Sequence, residues 1–188
     1  MDEKPPAKEL VVELGSGNGQ MLLDLANRNR KEDLFFLGIE LNSSLCEQSH
    51  QLFPKNKNIA FINGNFEEII SGYKNDTIAM FISILPHPNY IGQEKMERWI
   101  PFYKIIFNKL KKHGEFLLVT ECTNEMLSPV TIKEYEKWRN WITKTFEGMG
   151  FNIKLLADNP PFALSSYYLN QFKNDTERIK ILTLLMEK

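Results

Sequence analysis

Two acids and three glycines near the start of the chain have the types and the spacing of a cofactor site. Gly15, Gly17 and Gly19 occupy alternate positions directly after an apolar segment, and Glu13 comes two residues before the first of them. Because glycine lacks a Cβ atom, such a turn can adopt positive φ values and lets a ligand approach the main chain. Glu40 ends the next apolar segment, at a distance along the chain that suits an acid binding the hydroxyl groups of a ribose.

Alternating strand and helix patterns must position these residues. Strands are predicted at residues 10–12, 34–40, 58–62, 77–84, 115–121, 151–156 and 179–186. Helices are predicted at residues 20–30, 45–52, 66–71, 96–111 and 132–149, the fourth of them stopped by Gly114. Strands separated by helices predict a mostly parallel sheet covered on both faces, with the ligand at the carboxyl ends of the strands.

The size and charge of the chain fit one globular domain over residues 1–188. Hydrophobic residues make up 43% and charged residues 25%, and the formal net charge of −1 gives no overall electrostatic reason to expect nucleic acid. A local basic face would still suffice for binding nucleic acid. Five basic residues on or after the helix 96–111 could form one, although a solvated helix face explains them more simply: Lys104, Lys109, Lys111, Lys112 and His113.

Cysteine spacing and hydropathy indicate whether the protein binds a metal and in which cellular compartment it lies. Cys46 and Cys122 lie far apart with neither a CxxC motif nor a metal-ligand spacing, which predicts reduced, buried thiols and no metal site. The first ten residues are charged and contain prolines, unlike an apolar signal. No apolar run approaches the roughly 18 residues that a membrane helix needs. We therefore expect a cytoplasmic protein that does not contact a membrane.

The details of the glycine turn distinguish between cofactor classes. A phosphate-binding Walker loop ends in Gly-Lys-Ser/Thr, and this turn does not. A dinucleotide site usually has the pattern G-x-G-x-x-G, whereas this chain has E-x-G-x-G-x-G with an acid ending the second strand. That pattern resembles the class I S-adenosylmethionine-dependent methyltransferases. The resemblance implies an α/β fold: a Rossmann-like, doubly wound, seven-stranded and mostly parallel sheet with the last strand antiparallel.

The same resemblance implies roles for residues around the cofactor. It implies that Glu13 lies near the methionine amino group, that the glycines lie against the cofactor, and that Glu40 binds both ribose hydroxyls. Asn65 matches the position that usually contacts the adenine edge. The full set of predicted cofactor-binding residues is Glu13, Gly15, Gly17, Gly19, Glu40, Asn65, Phe66 and Leu85.

Segments along most of the chain are similar to the tRNA (guanine-N7)-methyltransferase family. The similarity is carried by residues 34–40, 58–68 and 109–121 and by the tail. The family pattern F-P-D-P-W-P-K is replaced by residues 85–90, where His87 stands for the acid and Asn89 for the tryptophan. The basic run that follows in the family is about neutral here. Strand five ends in Thr-Glu instead of Thr-Asp, and the family motif T-x-Y-E finds residues 166–169, Ser-Tyr-Tyr-Leu.

The resemblance implies tRNA as a partner and residues for binding a guanine. Guanine N7 has a lone pair and no proton, so methyl transfer needs alignment and exclusion of water more than a general base. The predicted catalytic residues are Glu121, accepting from guanine N1–H and the exocyclic amine, and His87, donating to O6 or contacting a phosphate. A structural role for His87 is equally open, and tyrosines that could stack on a base could instead be core or rim. The predicted substrate-binding residues are Pro86, His87, Tyr90, Glu121, Ser166 and Tyr168.

Two other functions stay open at this point. The near-neutral charge and the missing basic run favour a methyltransferase of the same scaffold that acts on a small molecule or a protein. A noncatalytic subunit that binds S-adenosylmethionine and positions RNA is a further alternative. Trp138 and Trp141, three positions apart on a predicted helix, are expected to pack against the sheet. The sequence is compatible with a monomer or a homodimer.

Overall fold

A computed structural model describes residues 8–29, 33–52, 57–160, 167–172 and 174–188. The strands in these residues are β1 (Glu9–Leu14), β2 (Leu34–Glu40), β3 (Ile59–Asn63), β4 (Ile78–Ile84), β5 (Leu110–Thr123), β6 (Asn152–Ala157) and β7 (Ile179–Glu187). The α-helices are α1 (Gln20–Arg28), α2 (Ser43–Leu52), α3 (Phe66–Ser71), α4 (Met96–Lys109), α5 (Ile132–Gly148) and α6 (Tyr167–Phe172). Short 3-10 turns lie at Pro88–Tyr90, Gln93–Lys95 and Glu125–Leu127.

The strands of the described residues form one seven-stranded sheet in the order β3-β2-β1-β4-β5-β7-β6. The pairs β1–β2, β2–β3, β1–β4 and β4–β5 are parallel, whereas β7 runs antiparallel to both β5 and β6. The predicted fold, including the antiparallel last strand, is confirmed. Parallel pairing brings the carboxyl ends of β1, β2, β4 and β5 to one edge, and the order reverses between β1 and β4 at that edge.

Apolar side chains cover both faces of the sheet, because successive residues of a strand point to opposite sides. One face packs against α4 and α5, and its buried members include Val12, Leu14, Trp99, Tyr103, Phe116 and Phe146. The other face packs against α1 and α6, and its buried members include Val11, Met21, Leu22, Ile82, Val119 and Leu169. The two cores leave the carboxyl edge of the sheet to the loops that follow the strands.

The fourth large helix ends earlier than the sequence pattern predicts. Helix α4 ends at Lys109, and residues 110–114 belong to β5. Leu110 is fully buried and pairs with Ile78, and the pairing register then shifts before Met80 meets Glu115. Gly114 is therefore not a helix terminator. A Cβ atom at this position would lie 2.9 Å from the Lys111 carbonyl oxygen and 3.1 Å from that of Ala79, so the irregular pairing requires glycine.

The basic residues near the end of α4 hold the opposite edge of the sheet together. Lys109 donates to the carbonyl oxygens of Ser71 and Tyr73, and Lys111 pairs with Glu9. These contacts lie at the amino ends of the parallel strands, away from the glycine turn. In the part of the chain that the structure describes, no helix is long and apolar enough to cross a membrane.

Candidate functional site

The glycine turn between β1 and α1 is open at its first two glycines and tightly packed at the third. Gly15, Gly17 and Gly19 have φ angles of 77°, 55° and 76°, all in the left-handed region. A Cβ atom at Gly15 or Gly17 would meet nothing within 4 Å, whereas one at Gly19 would lie 2.4 Å from the Phe61 ring. The first two positions leave room for a ligand, and the third allows α1 to pack closely on β3.

Glu40 holds the glycine turn from the neighbouring strand. Its Oε2 accepts a hydrogen bond of 2.7 Å from the Gly17 N–H, and its Oε1 accepts one of 2.8 Å from the Asn42 N–H. Two backbone donors thus fix the orientation of the carboxylate. Each oxygen keeps a further acceptor position, so the fixed carboxylate can still bind two neighbouring hydroxyl groups.

Glu13 is a buried acid whose charge is not compensated within the described residues. The residue is 4% exposed, and its Oε2 has no hydrogen-bond partner among the described atoms. Burial, with a smaller contribution from the nearby Glu40, raises the pKa of the Glu13 carboxyl well above its usual range. A buried carboxylate with a free oxygen favours a cationic partner, since an ammonium group would offset the cost of its burial.

Asn65 and Phe66 form the start of α3 at the same edge. The Asn65 side-chain oxygen accepts from the Glu67 N–H at 2.9 Å and so caps the helix, which leaves its amide N–H groups available to a ligand. The Phe66 ring lies 4.9 Å from the Tyr90 ring and 5.2 Å from the Phe102 ring. This aromatic cluster can form a wall for a flat heterocycle.

A cavity of about 460 Å³ joins these elements. It is lined by eight of the predicted site residues: Gly15, Glu40, Asn65, Phe66, Leu85, Pro86, His87 and Tyr90. It is also lined by residues that the sequence analysis missed: Leu14, Leu41, Ser83, Ile84, Asn89, Arg98, Phe102 and Tyr103. No motif marks the missed residues. Proximity to strand ends could have suggested Ser83 and Ile84, whereas only the packing of α4 brings in Arg98.

The loop after β4 turns sharply at Leu85 and is braced by His87. Leu85 has a φ of 50° and donates its N–H to the Val119 carbonyl oxygen at 2.7 Å, which ties the start of the loop to β5. His87 Nδ1 accepts from the Asn89 N–H at 3.2 Å and caps the 3-10 turn that follows. With Nδ1 as an acceptor, a neutral His87 carries its proton on Nε2, where it can serve as a donor.

Tyr90 is part of the aromatic cluster of the first cavity. Besides its ring contact with Phe66, its hydroxyl hydrogen-bonds the Glu67 carboxylate. Burial and that hydrogen bond raise the pKa of the Tyr90 hydroxyl to about 12. The side chain fastens the loop to α3, and it lines the first cavity together with Asn65 and Phe66, not the second.

Glu121 lines a second cavity, of about 390 Å³, instead of the first. Its Oε2 is buried and has no partner among the described residues, and burial raises the pKa of its carboxyl to about 7. Residues of the loop after β4 contribute to both cavities, with His87 and Asn89 in the first and Pro88 and Ile91 in the second. His87 on the loop after β4 and Glu121 on β5 therefore line different cavities.

The predicted residues near the carboxyl terminus are less fully described. Ser166 lies outside the described residues, and Tyr168 belongs to α6, whose backbone alone is described at that position. Leu169, at the position of the acid in the family motif, is 1% exposed and packs in the core with Val119 and Ile179. An ionised side chain would be costly at that buried position, which gives a physical reason for the leucine.

Comparisons with known proteins identify the family. A sequence model of a family described as "Putative methyltransferase" matches residues 7–147. The chain belongs to this methyltransferase family. A bifunctional glycosyltransferase/methyltransferase of Fusobacterium nucleatum subsp. nucleatum is 29% identical over 140 residues, which are 68% of this chain and 21% of that protein. The chain thus spans about a fifth of the length of this curated relative.

Solved structures of methyltransferases share the fold at low sequence identity. An S-adenosylmethionine-dependent methyltransferase from Mesorhizobium loti superposes with a TM-score of 0.62 at 14% identity, covering 98% of this chain and 94% of that one. The 16S rRNA methyltransferase KamB superposes with a TM-score of 0.69 at 11% identity, covering 96% of this chain and 87% of that one. Geranyl diphosphate methyltransferase in complex with S-adenosylmethionine superposes with a TM-score of 0.62 at 10% identity, covering 96% of this chain and 78% of that one.

S-adenosylmethionine is the cofactor of this methyltransferase, and the first cavity fits it. Of the residues in and before the glycine turn, Leu14 and Gly15 line this cavity, whereas Glu13, Gly17 and Gly19 do not. The free carboxylate oxygen of Glu13 would suit the ammonium group of the methionine part, and the open space at Gly15 and Gly17 would let a ligand approach the main chain. Glu40, Asn65 and Phe66 line the cavity, where Glu40 would suit the ribose hydroxyls and Asn65 with Phe66 would suit the adenine. When bound, the cofactor supplies an electrophilic methyl group on a sulfonium.

Proposed function

We propose that this methyltransferase transfers the methyl group of S-adenosylmethionine to N7 of a guanine in tRNA. The observation that carries the proposal is the unpaired, buried carboxylate oxygen of Glu121 at the end of β5, beside the strand whose loop lines the cofactor cavity. Guanine presents two neighbouring donors, N1–H and the 2-amino group, that a carboxylate can accept together. The similarity to the tRNA (guanine-N7)-methyltransferase family supports the same acceptor.

The reaction requires little from the protein beyond alignment. The N7 lone pair forms the new bond to the methyl carbon while the carbon–sulfur bond breaks, and its electron pair stays on sulfur. No proton leaves guanine in this step, so no general base is needed. The protein must hold the base in line with the methyl group and exclude water from the electrophile.

Glu121 and His87 would bind opposite parts of the base edge. Ionised Glu121 accepts from N1–H and the 2-amino group, and both bonds strengthen as the base becomes positively charged. His87, with its proton on Nε2, donates to O6 or to a neighbouring phosphate. His87 is exposed at the mouth of the first cavity, where an acceptor would enter.

The proposal is tested by incubating the protein with labelled S-adenosylmethionine and unmodified tRNA, followed by nucleoside analysis. We expect label in 7-methylguanosine. Glu121→Gln should lower kcat/KM for tRNA by about tenfold or more, because a neutral amide offers a single acceptor oxygen and a repelling N–H pair. Glu136→Gln, on an exposed position of α5, is the matched control. Label in a small product and none in 7-methylguanosine would exclude this acceptor.

A small-molecule acceptor is the second candidate, and the charge around the two cavities favours it. Among the described residues that line them, Lys95 and Arg98 are the cations, and the whole chain has a formal net charge of −1. Binding of a tRNA backbone generally relies on several basic contacts. A metabolite extract, supplied in place of tRNA in the same assay, distinguishes this candidate.

A further inference from the structure

The second cavity lies at the carboxyl end of β5, next to the strand end that serves the cofactor site. Residues Glu121–Thr123 of β5 line it on one side, Trp138 of α5 on another, and the loop residues 88 and 91–95 on a third. The Leu85 N–H bonds the carbonyl oxygen of Val119, two residues before Glu121. This hydrogen bond ties Leu85, which lines the first cavity, to the strand whose last residues line the second.

The Trp138 ring is held rigidly in this cavity. It is half-buried and stacks on Tyr135, with the ring centroids 6.0 Å apart and the planes at 27°. The Tyr135 hydroxyl donates to Asp158 Oδ1 at 2.8 Å. A capping box between Thr131 and Glu134 fixes the start of α5 one turn earlier. A planar surface fixed in this way costs little entropy when a ligand stacks on it.

The opposite side of the cavity is also preformed. Trp99, which is fully buried, donates its indole N–H to the Gly92 carbonyl oxygen at 2.8 Å and anchors the loop to α4. The Gly92 N–H bonds the Pro88 carbonyl oxygen at 2.7 Å, and Ile91 is 6% exposed. The loop presents apolar atoms of Pro88 and Ile91 to a cavity that Trp138 closes from the helix side.

We propose that the second cavity binds the acceptor base, with Trp138 as the surface on which the base stacks. This inference rests on the proposed function and names the residue that discriminates between the substrate and the product of the reaction. A flat heterocycle between Trp138 and Pro88 would present its donor edge to Glu121. Trp138 is not part of a family motif, and the sequence predicts only that it packs against the sheet.

Trp138 favours the methylated state of the base for an electrostatic reason. Guanine is neutral before the transfer and cationic once N7 carries the methyl group. The face of an indole ring is negative and attracts cations, more strongly than the faces of other side-chain rings. Stacking on Trp138 is therefore stronger in the transition state and in the product than in the substrate, so that this contact contributes to kcat as well as to binding.

The test compares Trp138→Leu, Trp138→Phe and the control Lys137→Ala, an exposed position on the same helix. With S-adenosylhomocysteine bound, we expect the wild type to bind 7-methylguanosine 5′-monophosphate at least about fivefold more tightly than guanosine 5′-monophosphate. Trp138→Leu should abolish this preference and lower kcat/KM for tRNA by about five- to a hundredfold. Trp138→Phe should retain part of both, and Lys137→Ala all of both. Unchanged affinity for S-adenosylmethionine verifies the fold.

The outcomes separate this inference from the proposed function. A Trp138→Leu variant that keeps the wild-type nucleotide preference and the wild-type kcat/KM overturns the inference, as does a wild type that binds the two nucleotides equally. A wild type that forms no 7-methylguanosine in tRNA, yet shows a Trp138-dependent preference for the methylated nucleotide, overturns the tRNA acceptor and supports the cavity assignment.

Discussion

At the scale of single residues, three acids at one sheet edge have different environments and therefore different tasks. Glu40 is held by two backbone N–H groups, Glu13 is buried with a free oxygen, and Glu121 lines a separate cavity with one buried, unpaired oxygen. Their sequence positions alone suggest three similar acids at strand ends. The hydrogen bonds and burial distinguish an acid poised for hydroxyl groups from two that favour a cation or paired donors.

Glu40→Ala should weaken S-adenosylmethionine binding by at least about tenfold. The substitution removes the proposed acceptor for the ribose hydroxyls and the hydrogen bonds that Glu40 accepts from the N–H groups of Gly17 and Asn42. Isothermal titration calorimetry measures the affinity, and Glu47→Ala on an exposed position of α2 is the control. Equal affinity for the two variants would show that the ribose binds elsewhere.

The free energy of unfolding of the cofactor-free protein should fall with rising pH because of Glu13. An acid whose pKa is raised by folding stabilises the fold below its ordinary pKa, and that contribution is lost as the pH rises toward the folded-state pKa. Glu13→Gln removes this titration, so the stability of the variant should fall less than that of the wild type between pH 5 and pH 8.

Denaturant titrations at the two pH values measure the difference for Glu13→Gln. The same substitution should weaken S-adenosylmethionine binding, because a neutral amide does not offset an ammonium group. A variant that changes stability equally at both pH values would show that Glu13 stays ionised in the folded protein.

Methyl transfer to tRNA should increase with pH through about 7 because of Glu121. Burial raises the pKa of its carboxyl to about 7, and the ionised form is the one that accepts two donors from guanine. kcat/KM should rise from pH 6 to pH 8 and then level off, and Glu121→Gln should flatten the profile. A rise that persists in Glu121→Gln would assign the titration to another group.

At the scale of elements, the loop after β4 connects the two cavities. Tyr90 fastens it to α3 through the Phe66 ring and the Glu67 carboxylate, and Trp99 fastens it to α4 through the Gly92 carbonyl oxygen. Because the loop is held at both ends, the residues that it contributes to the two cavities keep fixed positions relative to each other. Binding of the cofactor against Phe66 would stabilise the same contacts and so would link the first cavity to the second.

Tyr90→Leu should weaken both S-adenosylmethionine and tRNA binding, by about three- to tenfold each, because it removes an aromatic contact and a hydrogen bond. Tyr90→Phe keeps the ring and should retain most of the cofactor affinity. Hydrogen exchange of residues 85–95 measures the loop directly. In the wild type, S-adenosylhomocysteine should slow this exchange, and in Tyr90→Leu the slowing should be smaller. Equal protection in both would exclude Tyr90 as the link.

At the scale of the whole molecule, three acids and two lysines that the sequence singles out lie at opposite edges of the sheet. Its carboxyl edge gathers Glu13, Glu40 and Glu121, whereas Lys109 and Lys111 stabilise the opposite edge through carbonyl oxygens and Glu9. Lys109 and Lys111 therefore do not form a basic surface that runs from α4 to the cavities. Their positions follow from the strand direction of β5, which begins at one edge and ends at the other.

A double substitution of Lys104 and Lys112 by alanine should leave kcat/KM for tRNA within about twofold of the wild type. Both side chains are exposed, and Lys112 lies at the amino end of β5, away from the cavities. Arg98→Ala, at the first cavity, should reduce kcat/KM by more than the double substitution does. A larger loss of kcat/KM for the double lysine substitution than for Arg98→Ala would show that the basic residues bind RNA.

Much of the cofactor half is predictable because its determinants are local. A glycine turn, a strand that ends on an acid and a helix cap each depend on residues close in sequence. Of the residues that carry them, Gly15, Glu40 and Asn65 line the first cavity. Gly19 shows the limit: its pattern suggests cofactor contact, but Phe61 from a distant strand occupies the space beside it.

The sequence by itself determines the alternation of strands and helices, the glycine turn and its acids, because sterics and hydrophobic periodicity act over short stretches. Only the tertiary structure decides that Glu121 and Trp138 share a cavity, that residues 110–114 join β5, and that Leu169 is buried. Each of these depends on side chains that meet across the sheet from distant positions. The features that predict the cofactor are therefore encoded locally, whereas the second cavity forms only once the chain has folded.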